Sequence, residues 1–139
     1  MNITFLGATQ TVTGSKYLVE TKTTKILVDC GLFQGYKWLR KRNREQLPVD
    51  IKTIDGIVLT HAHLDHSGFI PALYKQGYRG KVYTHPSTIA LCSILLPDSG
   101  HIQEDDAHFY KKYKLGRHAT PEPIYDKETA EKCMSLFKG

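Results

Sequence analysis

The stretch at residues 60–68 constrains this chain more than any other. It places three histidines and an aspartate within six residues, directly after the apolar run at 57–59. Burying four ionisable groups beside an apolar strand carries a large desolvation cost unless a charged partner offsets it. Imidazole nitrogen and carboxylate oxygen are ligands for zinc, and also for manganese or iron. The sequence therefore predicts a metal site made of His61, His63, Asp65 and His66.

The spacing within this stretch divides the four residues into two pairs. In an extended chain, residues two apart point the same way, so His61 and His63 can share one ion. Asp65 and His66 are adjacent at a bend into a helix, where side chains diverge, so they can turn toward a second ion. Two ions roughly 3.5–4 Å apart make a hydrolytic site. Asp65 is then expected to act in catalysis, by binding metal and orienting the attacking hydroxide.

Asp29 is a candidate partner of this site. It ends the apolar run at 25–28 and precedes Gly31 at a bend. Metal-bound histidines usually donate their second ring nitrogen to an outer acceptor, and a carboxylate at the same sheet edge can be that acceptor. A turn-forming aspartate is the alternative. Spacing alone leaves both interpretations open.

The order of predicted elements is typical of an α/β fold. Apolar or alternating runs predict strands at 3–6, 16–21, 25–28, 54–59 and 81–84. Helical spacing predicts helices within 33–46 and at 69–76, 86–95, 101–114 and 126–137, with a loop at 115–124. Pro97 and Gly100 predict a break between the third and fourth of these helices. The chain is expected to divide into a strand and helix part, 1–97, and a helical extension, 98–139.

Composition excludes several classes of protein. A chain of 139 residues with 40% hydrophobic and 24% charged residues is typical of one globular domain. No apolar run is long enough to span a bilayer, and the N-terminus does not resemble a signal peptide, which favours the cytoplasm. Cys30, Cys92 and Cys133 are odd in number and widely spaced, so buried reduced thiols are expected rather than disulfides or a zinc ribbon.

The net charge of +5 is unevenly distributed. Two basic clusters stand out, and the second is interleaved with aromatic residues: Lys37, Arg40, Lys41, Arg42 and Arg44; and Lys111, Lys112, Lys114 and Arg117 with Phe109, Tyr110 and Tyr113. Such clusters suit a polyanion, although a solvated helix face explains either one alone. The remaining histidines, spaced irregularly, are interpreted as ordinary polar residues: His85, His101, His108 and His118.

Three motifs resemble those of a known family. Residues 61–66 match the His-x-His-x-Asp-His signature of the metallo-β-lactamase superfamily, and Asp29 matches its first motif, an aspartate that ends an early strand. Residues 5–15, 29–35 and 60–68 together are similar to the β-CASP branch, which contains RNA-processing nucleases. Residues 98–107 also resemble a helical segment of those proteins.

The resemblance implies a fold, an activity and roles for the site residues. The fold is α/β, the N-terminal half of an αβ/βα sandwich with helices packed on a mixed sheet. His61 and His63 would bind a first zinc ion, and Asp65 and His66 a second. Asp29 would act as the outer partner of the site. The implied activity is hydrolysis of RNA phosphodiesters by a metal-bound hydroxide, with RNA as partner.

The chain departs from the family pattern in one respect. The third-motif histidine, the fourth-motif aspartate that bridges the metals, and the inserted β-CASP domain would lie beyond Gly139. His101 is not assigned to the third motif, because its segment is a separate helix in the proteins it resembles. Each ion would then have two protein ligands here, where catalytic zinc takes about three. The 139 residues alone are therefore expected to be inactive, with zinc partly bound or absent.

Two other functions are consistent with the sequence. The first is a non-catalytic half-domain that binds a partner or forms a homodimer through an exposed sheet face. The second is a metallo-β-lactamase-fold hydrolase that acts on a thioester or a lactone. The basic charge and the loop at 11–15 favour RNA over the second alternative.

Overall fold

A computed structural model describes residues 1–114 and 122–139, and it contains one six-stranded sheet. The strands follow chain order across the sheet: β1 Asn2–Phe5, β2 Tyr17–Glu20, β3 Lys25–Val28, β4 Gly56–Val58, β5 Lys81–Tyr83 and β6 Phe137–Lys138. The first three strands form an antiparallel meander, and β3 to β6 pair in parallel. The mixed sheet that the sequence predicts is confirmed.

The helices cover one face of this sheet. They are α1 Lys37–Lys41, α2 Leu64–Ser67, α3 Ile70–Lys75, α4 Pro86–Lys112 and α5 Lys127–Cys133, with short 3-10 turns at Arg42–Arg44, Ile51–Thr53 and Met134–Leu136. The register aligns one row of strand residues toward the helices, and these are fully or almost fully buried: Leu18, Leu27, Ile57 and Val82. They form a single core with residues of α3, α4 and α5.

The opposite face of the sheet is apolar and uncovered. Side chains alternate along a strand, so the neighbours of the buried row point away from the helices. Among them, Ile3 and Phe5 of β1 are 51% and 63% exposed, and Val58 and Tyr83 are 43% and 46% exposed. One face of an antiparallel sheet can be solvated, and such a face usually carries polar residues. The exposed apolar side chains here form a patch of the kind that marks an interaction surface.

Helix α4 runs without interruption through the stretch where the sequence predicts a break. Pro97 lies inside the helix and is buried, and Gly100 is buried against α5. A Cβ atom on Gly100 would lie 2.7 Å from the backbone of Asp126, so a larger residue would push the two helices apart. The predicted break between helices 86–95 and 101–114 is therefore wrong. Helix packing overrides the local preference of proline and glycine.

The end of the chain also differs from the prediction. The helix predicted at 126–137 ends at Cys133, and Phe137 and Lys138 form β6 beside β5. Asp126 caps α5 as expected, by accepting a hydrogen bond from the Thr129 amide at 2.7 Å. The proposed subdivision at residue 97 thus falls inside a helix, and residues from both sides of it share the core.

Other predictions concern burial and the ends of helices. Cys30, Cys92 and Cys133 are buried free thiols, as predicted. His85 is the N-cap of α4, where its Nδ1 accepts a hydrogen bond from the Ser87 amide at 3.2 Å. The predicted loop at 115–124 falls mostly outside the described residues, as do Arg117 and His118.

In the described part of the chain, no helix is both long and apolar enough to cross a membrane.

Candidate metal centre

The candidate residues follow the ends of two neighbouring parallel strands. Asp29 follows β3, and Thr60 and His61 follow β4. The strands are in register, and the Asp29 amide donates a hydrogen bond to the Val58 carbonyl at 2.9 Å. Parallel strands bring their carboxyl ends to one edge of a sheet, where α/β proteins bind ligands. The chain order alone therefore brings Asp29 beside the histidine stretch.

The backbone of residues 30–32 runs against the turn that carries Asp65 and His66. The Cys30 amide donates to the His66 carbonyl at 2.7 Å, and the Leu32 amide donates to the Leu64 carbonyl at 2.8 Å. Between them lies Gly31, where a Cβ atom would meet the Asp65 carbonyl oxygen at 1.6 Å. Only glycine fits at this crossing. The two segments are thus fixed to each other by their main chains.

The Asp29 carboxylate lies at the centre of the hydrogen-bond network. Asp29 is 3% exposed and has a left-handed backbone conformation, with φ of 57°. Its Oδ1 accepts from the amide and the hydroxyl of Thr60, both at 2.9 Å. Its Oδ2 accepts from Ser15 Oγ at 3.1 Å and pairs with His66 Nδ1 at 2.8 Å. A carboxylate has about four lone-pair sites, and all four are used here.

This network determines which nitrogen of His66 is free. An ionised carboxylate can only accept, so His66 Nδ1 donates its proton to Asp29. The neutral ring then carries a lone pair on Nε2. That nitrogen lies 3.5 Å from Oδ2 of Asp65. His66 and Asp65 therefore present a nitrogen and an oxygen donor side by side, as the prediction of a shared ion requires.

Thr60 determines the tautomer of His61 in the same way. Its hydroxyl has one proton, which it donates to Asp29, so the hydroxyl can only accept from His61 Nδ1 at 3.0 Å. The lone pair of neutral His61 is then on Nε2, which lies 3.2 Å from His63 Nδ1. One buried carboxylate thus orients His66 directly and His61 through a hydroxyl.

The separations between these donor atoms fit metal binding. Two nitrogens bound tetrahedrally to one zinc ion at about 2.0–2.1 Å lie about 3.3 Å apart. The distance between His61 Nε2 and His63 Nδ1, 3.2 Å, matches this separation. The distance between His66 Nε2 and Asp65 Oδ2, 3.5 Å, is close to it. Rings of His61 and His66 lie 4.1 Å apart between centroids, so the two pairs are adjacent. The candidate residues fit two neighbouring ions.

A third ligand for either ion is not found in residues 1–114 and 122–139. No group of three or more His, Cys, Asp or Glu residues in this part of the chain has the arrangement to hold a metal ion. His85 caps α4. His101 lies within α4, where its Nε2 is 3.5 Å from Oδ2 of Asp105, one helical turn further on. The described residues would therefore supply two donors to each ion of such a site.

Ser15 and Thr60 are positioning residues that the sequence analysis does not single out. Ser15 also donates its amide to the Asp65 carbonyl at 2.8 Å and accepts from the Gly31 amide at 3.0 Å, so it connects both segments. A hydroxyl residue directly before the first histidine of the motif was the available signal for Thr60. Ser15 carries no such signal, because its contact with Asp29 spans 14 positions that include β2 and β3.

Lys16 is buried beneath the loop that carries Asp29 and Gly31. It is 2% exposed, donates to the Gly31 carbonyl, and lies 4.5 and 4.8 Å from the ring centroids of Phe33 and Phe69. The pKa of Lys16 is lowered to about 8, mainly by burial, with a smaller raising effect of Cys30 and a smaller lowering effect of Arg42. A cation held here by a carbonyl and two aromatic faces supports the loop at a desolvation cost.

Comparison with known proteins identifies the family of this chain. The sequence model of the metallo-beta-lactamase superfamily matches residues 11–89. Ribonuclease TTHA0252 of Thermus thermophilus is 41% identical over 105 residues, which cover 76% of this chain and 24% of that protein. Transcription termination factor FttA of Methanocaldococcus jannaschii is 36% identical over 98 residues, which cover 70% of this chain and 16% of that protein.

Among solved structures, the subclass B3 metallo-beta-lactamase BJP-1 of Bradyrhizobium japonicum superposes with a TM-score of 0.48. It is 26% identical, and the match covers 74% of this chain and 35% of that one. The chain belongs to the metallo-β-lactamase superfamily, because the family model matches more than half of its length. The resemblance to RNA-processing members is confirmed by the names of the relatives. The chain spans a quarter or less of the length of these two relatives.

Proposed function

We propose that this chain carries the first four metal ligands of a di-zinc hydrolase that cleaves RNA phosphodiesters. One observation supports this most strongly: the Asp29 network leaves Nε2 of both His61 and His66 unprotonated and beside a second donor atom. A set of histidines that merely filled polar positions would not need matched tautomers. The ribonuclease and the termination factor among the relatives support RNA as the substrate.

Each residue has a role in this proposal. His61 and His63 hold one ion, and Asp65 and His66 hold the other. When bound, zinc acts as a Lewis acid that activates water at neutral pH and neutralises charge that develops on a phosphodiester. Asp65 would also orient the attacking water through its second carboxylate oxygen. Asp29 keeps both imidazoles in the tautomer that can bind, as outer carboxylates do at other metal-bound histidines.

The described residues do not complete this site, so further donors are part of the proposal. Catalytic zinc takes about three protein ligands, and each ion has two here. We assign the missing donors to additional protein, in the same gene product or in a partner. The 139 residues alone are then expected to bind zinc weakly, below one ion per chain, and to leave RNA intact. The cysteines are all buried free thiols, which suits the reducing cytoplasm that the sequence predicts.

The first test concerns the gene and its complete product. The reading frame is sequenced past codon 139, and the product is assayed with labelled single-stranded RNA and added zinc. Cleavage that is abolished by His63→Ala and retained by His108→Ala, a substitution on an exposed face of α4, supports the proposal. Hydrolysis of a thioester or a lactone without cleavage of RNA would replace RNA as the substrate. Full cleavage by the His63→Ala variant would exclude the metal mechanism.

The second test concerns zinc binding by the 139 residues. Equilibrium dialysis followed by elemental analysis gives the number of tightly bound ions per chain. A value below one agrees with the assignment of two donors per ion. Two tightly bound zinc ions would show that the chain supplies ligands beyond His61, His63, Asp65 and His66.

The uncovered sheet face supports a second candidate function, self-association. Phe5 and Ile3 on β1, with Val58 and Tyr83 further across the sheet, expose large apolar surface on one side. A homodimer formed through this face would bury it. Sedimentation equilibrium of the wild-type chain and of Phe5→Lys tests this candidate. A dimer that dissociates in the variant supports it, and a monomer at all concentrations in the wild type excludes it.

A further inference from the structure

We propose that helix α1 presents a binding platform for single-stranded RNA, on the segment that follows the loop of the candidate metal centre. The platform consists of Tyr36, Lys37, Trp38, Arg40 and Lys41, and all five side chains are exposed. This inference rests on the proposed RNA substrate and adds the surface that holds it. It concerns residues outside the metal-binding motif.

The segment is held firmly, so its exposed side chains are not the result of a loose loop. Leu39 of α1 is 6% exposed and packs inward. In the following 3-10 turn, Asn43 accepts from the Phe33 amide and donates to the Phe33 carbonyl, both at 2.8 Å. Arg42 donates to the Leu6 carbonyl at 3.3 Å and lies over the Phe33 ring at 4.3 Å. The inner side of the segment is therefore anchored at three residues.

The outer side carries aromatic rings that the fold does not use. Trp38, the only tryptophan of the chain, is 59% exposed, and Tyr36 is 72% exposed. By contrast, Tyr78 and Tyr125 are at most 1% exposed. Large rings left in water on a five-residue helix offer surfaces on which nucleic-acid bases can stack. Any base can stack on an exposed ring, so such a surface binds single-stranded RNA without a preference for sequence.

The charge of the segment matches the phosphates of such a partner. Residues 37–44 contain five basic residues and no acidic one. Within the described residues, none of the five forms an ion pair with a carboxylate, so their charges are not neutralised by the fold. Alternating rings and cations are the pattern of surfaces that bind single strands, because the rings take bases while the cations take phosphates.

The position of the platform connects it with the candidate metal centre. α1 begins a few residues after Asp29, on the loop whose Leu32 amide donates to the Leu64 carbonyl at 2.8 Å. Phe33, which Asn43 and Arg42 hold, is the next residue of that loop. The loop that packs on the turn of Asp65 and His66 therefore leads directly into the platform.

The intrinsic fluorescence of the chain tests this proposal directly, because Trp38 is its only tryptophan. A short single-stranded RNA is titrated into the protein in the presence of a chelator, which prevents cleavage. We expect quenching of the tryptophan signal, and an affinity that falls steeply between about 50 and 200 mM salt. Trp38→Leu should weaken binding of the same RNA, followed by fluorescence anisotropy of a labelled end, by about tenfold.

Two matched controls sharpen the result. Tyr83→Leu removes another exposed aromatic ring, on the uncovered face of the sheet, and should leave the affinity unchanged. Lys41→Ala should weaken binding and reduce its salt dependence, whereas Lys22→Ala, in the turn between β2 and β3, should do neither. Equal effects of Trp38→Leu and Tyr83→Leu, or absence of quenching, would overturn the proposal. Quenching by anionic phospholipid vesicles but not by RNA would also overturn it, in favour of a membrane surface.

The outcome can be separated from that of the proposed function. Binding is measured in the His63→Ala variant as well, where the platform is intact. RNA binding that depends on Trp38, without cleavage by the complete gene product, would retain the platform and reject the hydrolase. Cleavage with an affinity for RNA that does not depend on Trp38 would retain the hydrolase and reject the platform.

Discussion

Oδ2 of Asp29 lies 2.8 Å from Nδ1 of His66, although the two residues are 37 positions apart in the chain. This contact joins the end of one parallel strand to the turn after the next. It fixes the proton of His66 on the ring nitrogen that faces the protein interior. The other nitrogen is left available on the side that holds Asp65.

Replacement of Asp29 by asparagine tests this contact. The amide of asparagine retains one acceptor oxygen and introduces donors, so the four hydrogen bonds of the carboxylate cannot all form. We expect zinc affinity at the site to fall about 10- to 100-fold, as for other outer partners of metal-bound histidines. Competition with a chromogenic chelator measures it in the complete gene product. Asp98→Asn, on an exposed position of α4, is the control and should leave the affinity unchanged.

Replacement of Thr60 tests the link from Asp29 to His61. Thr60→Val keeps the shape of the side chain and removes the hydroxyl that accepts from His61 Nδ1. His61 should then populate both neutral tautomers, which nitrogen NMR of the imidazole distinguishes. Thr60→Ser restores the hydroxyl and should restore the single tautomer. A single tautomer that persists in Thr60→Val would show that another group orients His61.

Gly31 and Gly35 form a matched pair for a test of packing. Gly31→Ala places a methyl group 1.6 Å from the Asp65 carbonyl oxygen, and the main chain there cannot move aside. We expect a loss of at least about 3 kcal/mol in the free energy of unfolding, the upper range for overpacking. At Gly35 nothing lies within 4 Å, and only its φ of +84° opposes a side chain. Gly35→Ala should cost about 1 kcal/mol. Urea denaturation measures both, and equal losses would contradict the packing argument.

Lys16 predicts a specific dependence of stability on pH. Burial lowers its pKa to about 8 in the folded chain, from the ordinary lysine value of 10.5. Above pH 8 the unfolded chain therefore binds more protons at this residue than the folded one, so its contribution to stability rises with pH. The penalty is fully present below about pH 8 and is removed as the pH approaches 10.5.

The window in which this effect can be isolated is narrow. Burial raises the pKa of Cys30 to about 12, from 9.0, so stability from this thiol falls as the pH rises above 9. The difference in the free energy of unfolding between wild type and Lys16→Met is therefore measured from pH 7 to 9. It should change in favour of the wild type as the pH rises. A difference that is constant over this range would show that Lys16 stays charged when buried.

Much of the site could be predicted from the sequence because its residues are local. His61, His63, Asp65 and His66 lie within six residues; strand periodicity pairs the first two, and the bend into a helix pairs the last two. Asp29 was identified as a strand end, but its role depended on β3 and β4 being neighbours, which periodicity does not encode. The contacts of Ser15 and Thr60 depend on tertiary structure in the same way.

The errors in the fold have a common physical origin. Pro97 and Gly100 were interpreted through their local preferences, which disfavour a helix interior. In the fold Pro97 is buried, and Gly100 allows close approach to the start of α5. Ser99 Oγ accepts a hydrogen bond from the Tyr125 hydroxyl at 3.0 Å. Likewise, Phe137 joins the sheet because β5 offers an unpaired edge. Tertiary packing determines the secondary structure at each of these positions, and a local sequence pattern does not reveal that packing.

The parallel pairing of β3 with β4 has a consequence for the kinetics of folding. The meander β1 to β3 closes through short turns, whereas β4 reaches its place only after residues 29–55 have crossed over the sheet. Long closures of this kind form slowly, so Asp29 meets His66 late. Interactions that form after the transition state act on the rate of unfolding. A metal ion held at this edge should therefore prolong the lifetime of the folded chain and leave its rate of folding almost unchanged.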